Sequence, residues 1–198
     1  SSPHNAKSVR DAEVAVYSSA IRPENIARAE ADKSGIRTIR RAECLAAILG
    51  TKKGILISGT HGKTTTSAMS AHVMRRGAAR PSHYVGAEIP VLGTNAHWDE
   101  EGDYMVAEGD ESDGTLQLYA PEHTVVLNVE EEHLDFYERG LEQIKEVFTK
   151  ALDSTTGAVI YCGECPVATD LCAHREGSLS YGWQDADYTV DNVLEQGG

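Results

Sequence analysis

The feature that most constrains the fold is a glycine-bounded loop between an apolar run and a helical pattern. Residues 55–58 (Ile-Leu-Ile-Ser) predict a buried strand, and residues 63–76, closed by Gly77, predict a helix. The loop between them is Gly59-Thr-His-Gly-Lys-Thr-Thr65. In a strand–loop–helix unit, backbone N–H groups and the helix dipole face an anion. The stretch therefore predicts a phosphate-binding loop; the alternative is a glycine turn that precedes Lys-Thr by chance.

Two side chains of this loop have specific expected roles. Lys63 reaches the β- and γ-phosphates of a nucleotide, and the Thr64 hydroxyl binds Mg²⁺. The general P-loop pattern has another glycine where this chain has Ile57, so the loop is a short variant, Gly-x-x-Gly-Lys-Thr. The residues expected to contact the nucleotide are Gly59, Thr60, His61, Gly62, Lys63, Thr64 and Thr65.

Composition and charge limit the class of protein and its partners. The chain has 198 residues, 40% apolar and 25% charged, which is typical of a globular protein with one large or two small domains. A net charge of −13 argues against a nucleic-acid partner, which requires a basic surface. No apolar stretch is long enough to span a membrane, and no signal-peptide pattern opens the chain. We therefore expect a cytoplasmic protein with neither a membrane nor a nucleic-acid partner.

Four cysteines leave two interpretations open. Cys162 and Cys165 have a spacing found in zinc sites, with Cys172 and His174 downstream as further ligands. Reduced thiols without a metal are favoured, because a helix expected to begin at Pro166 separates the two pairs.

The pattern of elements predicts an α/β protein with a boundary after residue 52. Upstream, residues 12–17 and 36–39 predict strands and residues 23–33 and 42–49 predict helices. Downstream, apolar strands alternate with helices, which predicts a parallel sheet covered on both faces. These later strands are expected at residues 54–58, 104–107, 124–128, 158–161 and 179–181, with helices at 63–76 and 141–152 and after the fourth of these strands. A further short strand is expected at residues 83–85.

Two acidic segments follow two of these strands. The strand at residues 104–107 is followed by Glu108-Gly-Asp-Glu-Ser-Asp-Gly114. The strand at residues 124–128 leads into Asn128-Val-Glu-Glu-Glu-His-Leu-Asp135. We expect those strands to be neighbours, so that the carboxylates and His133 meet the phosphate loop at one sheet edge. Mg²⁺ would supply the opposite charge. The alternative is that both segments are solvated loop acids.

The loop and the two acidic segments together resemble the Mur ligases of peptidoglycan synthesis. His61 in the loop is typical of the branch that joins L-alanine to UDP-N-acetylmuramate. Upstream, Tyr17-Ser-Ser-Ala-Ile21 is similar to the second half of that branch's UDP-binding domain. Gly109 and Glu132 stand where the family usually has Ala and Asp.

The resemblance implies a ligase that uses ATP and Mg²⁺ to form an acyl phosphate, with UDP-N-acetylmuramate and L-alanine as substrates. Lys63, Glu108 and His133 would be catalytic, and Thr64, Glu108 and His133 would hold metal. Family position and loop placement suggest substrate contacts at Ser18, Ser19 and Asn95.

The resemblance also implies a domain division. Residues 1–52 would be the C-terminal part of a Rossmann-like UDP-binding domain, and residues 53–198 an incomplete central ATP-binding domain. We expect such a middle fragment to be inactive alone. The alternatives are a murein-peptide recycling ligase, a nucleotide-binding module without turnover, and a P-loop kinase or GTPase.

Overall fold

The computed structural model describes residues 5–191. The chain divides into two compact units, Ser1–Ile48 and Leu49–Gly198. Which ligands each unit binds, and the boundary placed after residue 52, stay predictions. Within the described residues, no helix combines the length and the apolarity needed to cross a membrane.

The first unit is a small α/β element built on two parallel strands. Its elements are a 3₁₀ turn (Ala6–Val9), β1 (Val14–Tyr17), α1 (Ile26–Lys33), β2 (Arg37–Arg40) and α2 (Arg41–Leu49), the last of which ends at the unit boundary. The sequence predicted that α1 would begin near residue 23. It begins at Ile26 because the Asn25 side chain caps it, accepting hydrogen bonds from the backbone N–H groups of Ala27 and Arg28.

The second unit is an eight-stranded sheet, in the order β10-β9-β8-β7-β3-β6-β4-β5, with flanking helices. Every neighbouring pair is parallel except β4 with β5. The elements are β3 (Lys53–Ser58), α3 (Lys63–Arg76), β4 (Ser82–Tyr84), β5 (Ala96–His97), β6 (Tyr104–Glu108), a 3₁₀ turn (Thr115–Leu118), β7 (His123–Val126), α4 (Leu141–Asp153), β8 (Val159–Cys162), α5 (Pro166–Cys172), β9 (Leu179–Gly182) and β10 (Tyr188–Thr189).

The predicted α/β class and largely parallel sheet are confirmed, but one expected pairing is wrong. The strands that carry the two acidic segments, β6 and β7, are not neighbours, because β3 lies between them and pairs with both. A parallel connection needs a crossover, and a crossover can step past an intervening strand. The phosphate loop after β3 therefore lies between the two acidic segments. Strands β5 and β10 were not predicted, since two residues are too short to show a period.

Helix α3 covers the strands that support the phosphate loop. Ile57 on β3 and Val106 on β6 are fully buried in one cluster with Ala68 and Ala71 of α3. The sequence predicted that both faces of the sheet would be covered. Over β7 to β9, however, a hollow of about 450 Å³ remains, and it is lined mainly by apolar side chains.

Candidate functional site

The loop between β3 and α3 has a backbone that requires glycine at two positions. Gly59 and Gly62 have φ values of +145° and +83°. A Cβ at Gly59 would also lie 3.0 Å from the backbone nitrogen and oxygen of Asn128, which is too close for a side chain. The loop thus packs directly against the segment that follows β7.

Asn128 holds the phosphate loop in place. Its side-chain oxygen accepts a hydrogen bond from the His61 N–H at 2.7 Å, and its amide donates to the His61 carbonyl at 3.1 Å. The Asn128 carbonyl accepts from the Thr60 N–H at 3.0 Å, and the Thr60 hydroxyl accepts from the Glu130 N–H at 2.8 Å. The sequence did not assign this role to Asn128. The available indication was an amide side chain, both donor and acceptor, at a strand end.

The Lys63 side chain folds back over the loop. Its ammonium donates to the carbonyls of Gly59 and Thr60 at 2.7 and 3.1 Å, and to Oε1 of Glu111 at 3.1 Å. The side chain is 15% exposed. The one cation expected to bind phosphate is therefore surrounded by oxygen atoms of the chain itself.

Glu108 and Thr64 are brought together as predicted. The Thr64 hydroxyl lies 3.0 Å from both carboxylate oxygens of Glu108. The backbone N–H of Gly86 donates to Oε2 of Glu108 at 2.7 Å, and a Cβ at Gly86 would lie 2.8 Å from that oxygen. Gly86 therefore orients Glu108, and a side chain at position 86 would displace the Glu108 carboxylate. Sequence reasoning missed this residue, because the stretch around it has no periodicity.

Glu111 is the buried acid of the site. Its residue surface is 2% exposed, and burial raises the pKa of its carboxyl group, an effect opposed by Lys63. Oε2 lies 3.0 Å from the Lys63 ammonium as an ion-pair contact and accepts no hydrogen bond within the described residues. The Tyr137 hydroxyl donates to the Glu111 carbonyl, and burial raises the pKa of Tyr137 to about 12.

His133 lies close to Glu111. Its Nε2 is 3.8 Å from Oε1 of Glu111 and 3.8 Å from Oε2 of Glu132. Its backbone has φ of +55°, in the left-handed region that non-glycine residues seldom occupy. Nearby, His61 faces Glu132 at 3.4 Å and Glu130 at 3.7 Å, and these two acids are 42% and 58% exposed.

The donor set suits Mg²⁺ bound together with a nucleotide. Among residues 5–191, no group of three or more His, Cys, Asp or Glu side chains is arranged to hold a metal by itself. Mg²⁺ in nucleotide sites typically uses one or two carboxylates, phosphate oxygens and water. The Thr64–Glu108 pair offers hard oxygen donors beside the phosphate loop.

The cysteines form no disulfide in the part of the chain that the structure describes. All four thiols are free. Cys172, one of the zinc ligands considered from the sequence, is the last residue of α5 and is fully buried. Burial raises the pKa of its thiol to about 12.

The residues predicted to bind substrate lie in both units. In the first unit, Ser18 lines a pocket of about 330 Å³ with Tyr17 and Arg28, and its hydroxyl accepts a hydrogen bond from the Ala20 N–H. Ser19 is exposed there and is not part of the pocket lining. In the second unit, the Asn95 carbonyl accepts from the Val85 N–H at 2.8 Å. Their roles stay predictions.

Solved structures share this architecture. The UDP-N-acetylmuramate–alanine ligase of Thermotoga maritima superposes with a TM-score of 0.82 at 25% identity, covering 95% of this chain and 43% of that one. The UDP-N-acetylmuramate:L-alanyl-γ-D-glutamyl-meso-diaminopimelate ligase of Neisseria meningitides gives a TM-score of 0.77 at 21% identity and covers 90% of this chain and 61% of that one. The second likeness concerns the fold alone.

Sequence relatives point to the same group of proteins. The UDP-N-acetylmuramate–L-alanine ligase of Geobacter sulfurreducens is 38% identical over 98% of this chain, and that of Sorangium cellulosum is 44% identical over 98%. The chain spans 43% and 42% of the length of these relatives. Residues 57–196 match the family described as "Mur ligase middle domain". The match includes the phosphate loop and both acidic segments, and the chain therefore belongs to the Mur ligase family.

Proposed function

We propose that this chain supplies the nucleotide- and Mg²⁺-binding part of an ATP-dependent ligase that joins L-alanine to the carboxylate of UDP-N-acetylmuramate. The observation that carries the proposal is the placement of the phosphate loop between two acidic segments, with Lys63, Thr64 and Glu108 converging at one edge of the sheet. The names of the relatives support the choice of substrates.

The proposed reaction has two steps. The substrate carboxylate attacks the γ-phosphorus of ATP, giving an acyl phosphate and ADP. The alanine amine then attacks the acyl carbonyl, and phosphate leaves from the tetrahedral intermediate. Transfer of this kind depends on positioning and charge neutralisation more than on covalent participation of the protein.

Each residue has a defined part in the first step. Lys63 would bind the β- and γ-phosphate oxygens and the charge that develops on the transferring group. Thr64 and Glu108 would hold Mg²⁺, which neutralises the phosphate charge when bound. His133 would bind or orient a second Mg²⁺ near the acyl phosphate. The Gly86 N–H fixes the carboxylate of Glu108 for this purpose.

Phosphate release that requires both L-alanine and UDP-N-acetylmuramate, measured with a full-length ligase carrying this sequence, tests the proposal. Lys63→Ala should lower kcat by roughly 10²–10³, the effect of removing one preorganised donor. Turnover with a murein tripeptide instead of alanine would favour the recycling ligase.

The 198-residue chain is expected to bind Mg-ADP without ligating the substrates. Ligation requires three reactants within near-attack distance, and the relatives are more than twice as long as this chain. Calorimetry with Mg-ADP and a phosphate-release assay on the chain would check both parts. Substrate-dependent turnover by the chain would contradict the fragment interpretation.

A further inference from the structure

The Lys63 ammonium is paired with the carboxylate of Glu111. Glu111 lies 3.0–3.1 Å from the Lys63 Nζ through its two oxygens, and both side chains are largely shielded from water. An ion pair in such surroundings is screened less than an exposed pair, so separating its members has a larger cost. Phosphate oxygens that approach the loop must compete with this carboxylate for the same cation.

Glu111 is fixed in place from its own segment. The Tyr137 hydroxyl donates to its carbonyl, and Asp110 and Asp113 on either side accept hydrogen bonds from the backbone N–H groups of Ser112 and Thr115. These contacts hold the backbone of the segment. The backbone of Glu111 is therefore expected to keep its position when the Lys63 side chain moves toward a nucleotide.

The released carboxylate keeps one basic neighbour. His133 Nε2 lies 3.8 Å from Oε1 of Glu111. Exchange of Lys63 from Glu111 to phosphate thus leaves Glu111 beside an imidazole.

We propose that Glu111 competes with a nucleotide for Lys63, so that the β-phosphate must displace a buried carboxylate to reach the lysine. This inference rests on the proposed function, because it assumes that Lys63 binds phosphate. It assigns to Glu111 a positioning role that opposes nucleotide binding. A merely structural role predicts the reverse: removing the charge would loosen the site and weaken binding.

The test compares the affinities of the 198-residue chain for ADP and for AMP, measured by calorimetry in EDTA. Glu111→Gln should bind ADP about tenfold more tightly than the parent chain, the order of one charge-assisted hydrogen bond. AMP has no β-phosphate to reach Lys63, so its affinity should change less than about twofold. In a Lys63→Ala background the gain from Glu111→Gln should disappear, because the two residues act as a pair.

Asp110→Asn is the matched control. It removes the same charge from the neighbouring position, and Asp110 is not in hydrogen-bond contact with Lys63. An equal gain in Asp110→Asn would reduce the effect to general repulsion between carboxylate and phosphate and overturn the proposal. Unchanged or weaker ADP binding by a folded Glu111→Gln would also overturn it. If Glu111→Gln does not fold, Glu111→Asp, whose carboxylate is one methylene shorter, should show a smaller gain in the same direction, and no gain there would overturn the proposal.

Binding in Mg²⁺ separates this inference from the proposed function. Parent chain that binds Mg-ADP, with no gain in Glu111→Gln, overturns only the role of Glu111. Failure of every variant to bind ADP with or without Mg²⁺ overturns the nucleotide site and this inference with it.

Discussion

The two acidic segments beside the phosphate loop contain similar residues but are built differently. In the segment after β6, Glu108 is held by Thr64 and Gly86, and Glu111 is buried against Lys63. In the segment after β7, the side chains of Glu130 and Glu132 near His61 are 58% and 42% exposed. The second segment contributes mainly through Asn128 and its own backbone. The two segments therefore differ in the burial and fixed donors of their carboxylates and not in their acidity.

The largest difference between the segments should appear in Mg²⁺-dependent binding. Glu108→Gln should weaken Mg-ADP binding by about a hundredfold, because it removes a proposed metal ligand. Glu130→Gln removes an exposed charge and should change binding by less than about threefold. Calorimetry at several Mg²⁺ concentrations measures both. Equal losses would show that the two segments act alike and would contradict the comparison.

A smaller effect is expected from the backbone that orients Glu108. Gly86→Ala places a methyl group 2.8 Å from Oε2 of Glu108, so the carboxylate must move, and Mg-ADP binding should weaken by about tenfold. Gly163→Ala is the control, because its methyl group would have no neighbour nearer than 3.6 Å. If both variants bind Mg-ADP like the parent, the carboxylate of Glu108 does not depend on Gly86.

The segment after β7 should reveal its role in stability. Asn128→Ala removes two hydrogen bonds to His61 and should lower the free energy of unfolding by about 1–3 kcal/mol. Asn128→Asp keeps the acceptor for the His61 N–H but loses the donor, so its loss should be smaller. Urea unfolding midpoints measure the difference. A larger loss in Asn128→Asp than in Asn128→Ala would show that charge at this position outweighs the hydrogen bonds.

The smallest effect tests whether burial protects a side chain that lies away from the site, the thiol of Cys172, from alkylation. With a pKa of about 12, Cys172 is almost entirely protonated at pH 8, and its side chain is fully buried. Iodoacetamide should label Cys162 and Cys165 in the native chain and label Cys172 only in urea. Peptide mass spectrometry reports each position. Native labelling of Cys172 at the rate of Cys165 would show that α5 opens readily.

The sequence predicted what is local in the chain. The turn between β3 and α3 follows from a short glycine pattern, and the position of Glu108 at the end of β6 follows from the apolar strand before it. The roles of the loop, Glu108 and His133 stay predictions. The α/β class follows from the alternation of apolar strands and helices. These inferences needed only neighbouring residues and the rule that parallel strands place their carboxyl ends at one edge.

Contacts between distant residues could not be predicted in this way. Gly86 is 22 residues from Glu108, and His61 is 67 residues from Asn128. The pairing of Glu111 with Lys63 spans 48 residues and depends on which side of β3 each strand occupies. The expected pairing of β6 with β7 failed for the same reason, since strand order is decided by crossovers and not by the strands' own residues.

The central position of β3 also determines when the site can form as the chain folds. The strand before the phosphate loop gains its second hydrogen-bonded neighbour only when β7 is present, and Asn128 lies two residues beyond the end of β7. A growing chain on the ribosome would therefore contain the whole glycine loop well before the loop could be held in shape. Nucleotide should bind only to chains in which β7 and Asn128 have emerged. Nucleotide binding should therefore become detectable late in synthesis, after the sheet has formed as far as β7.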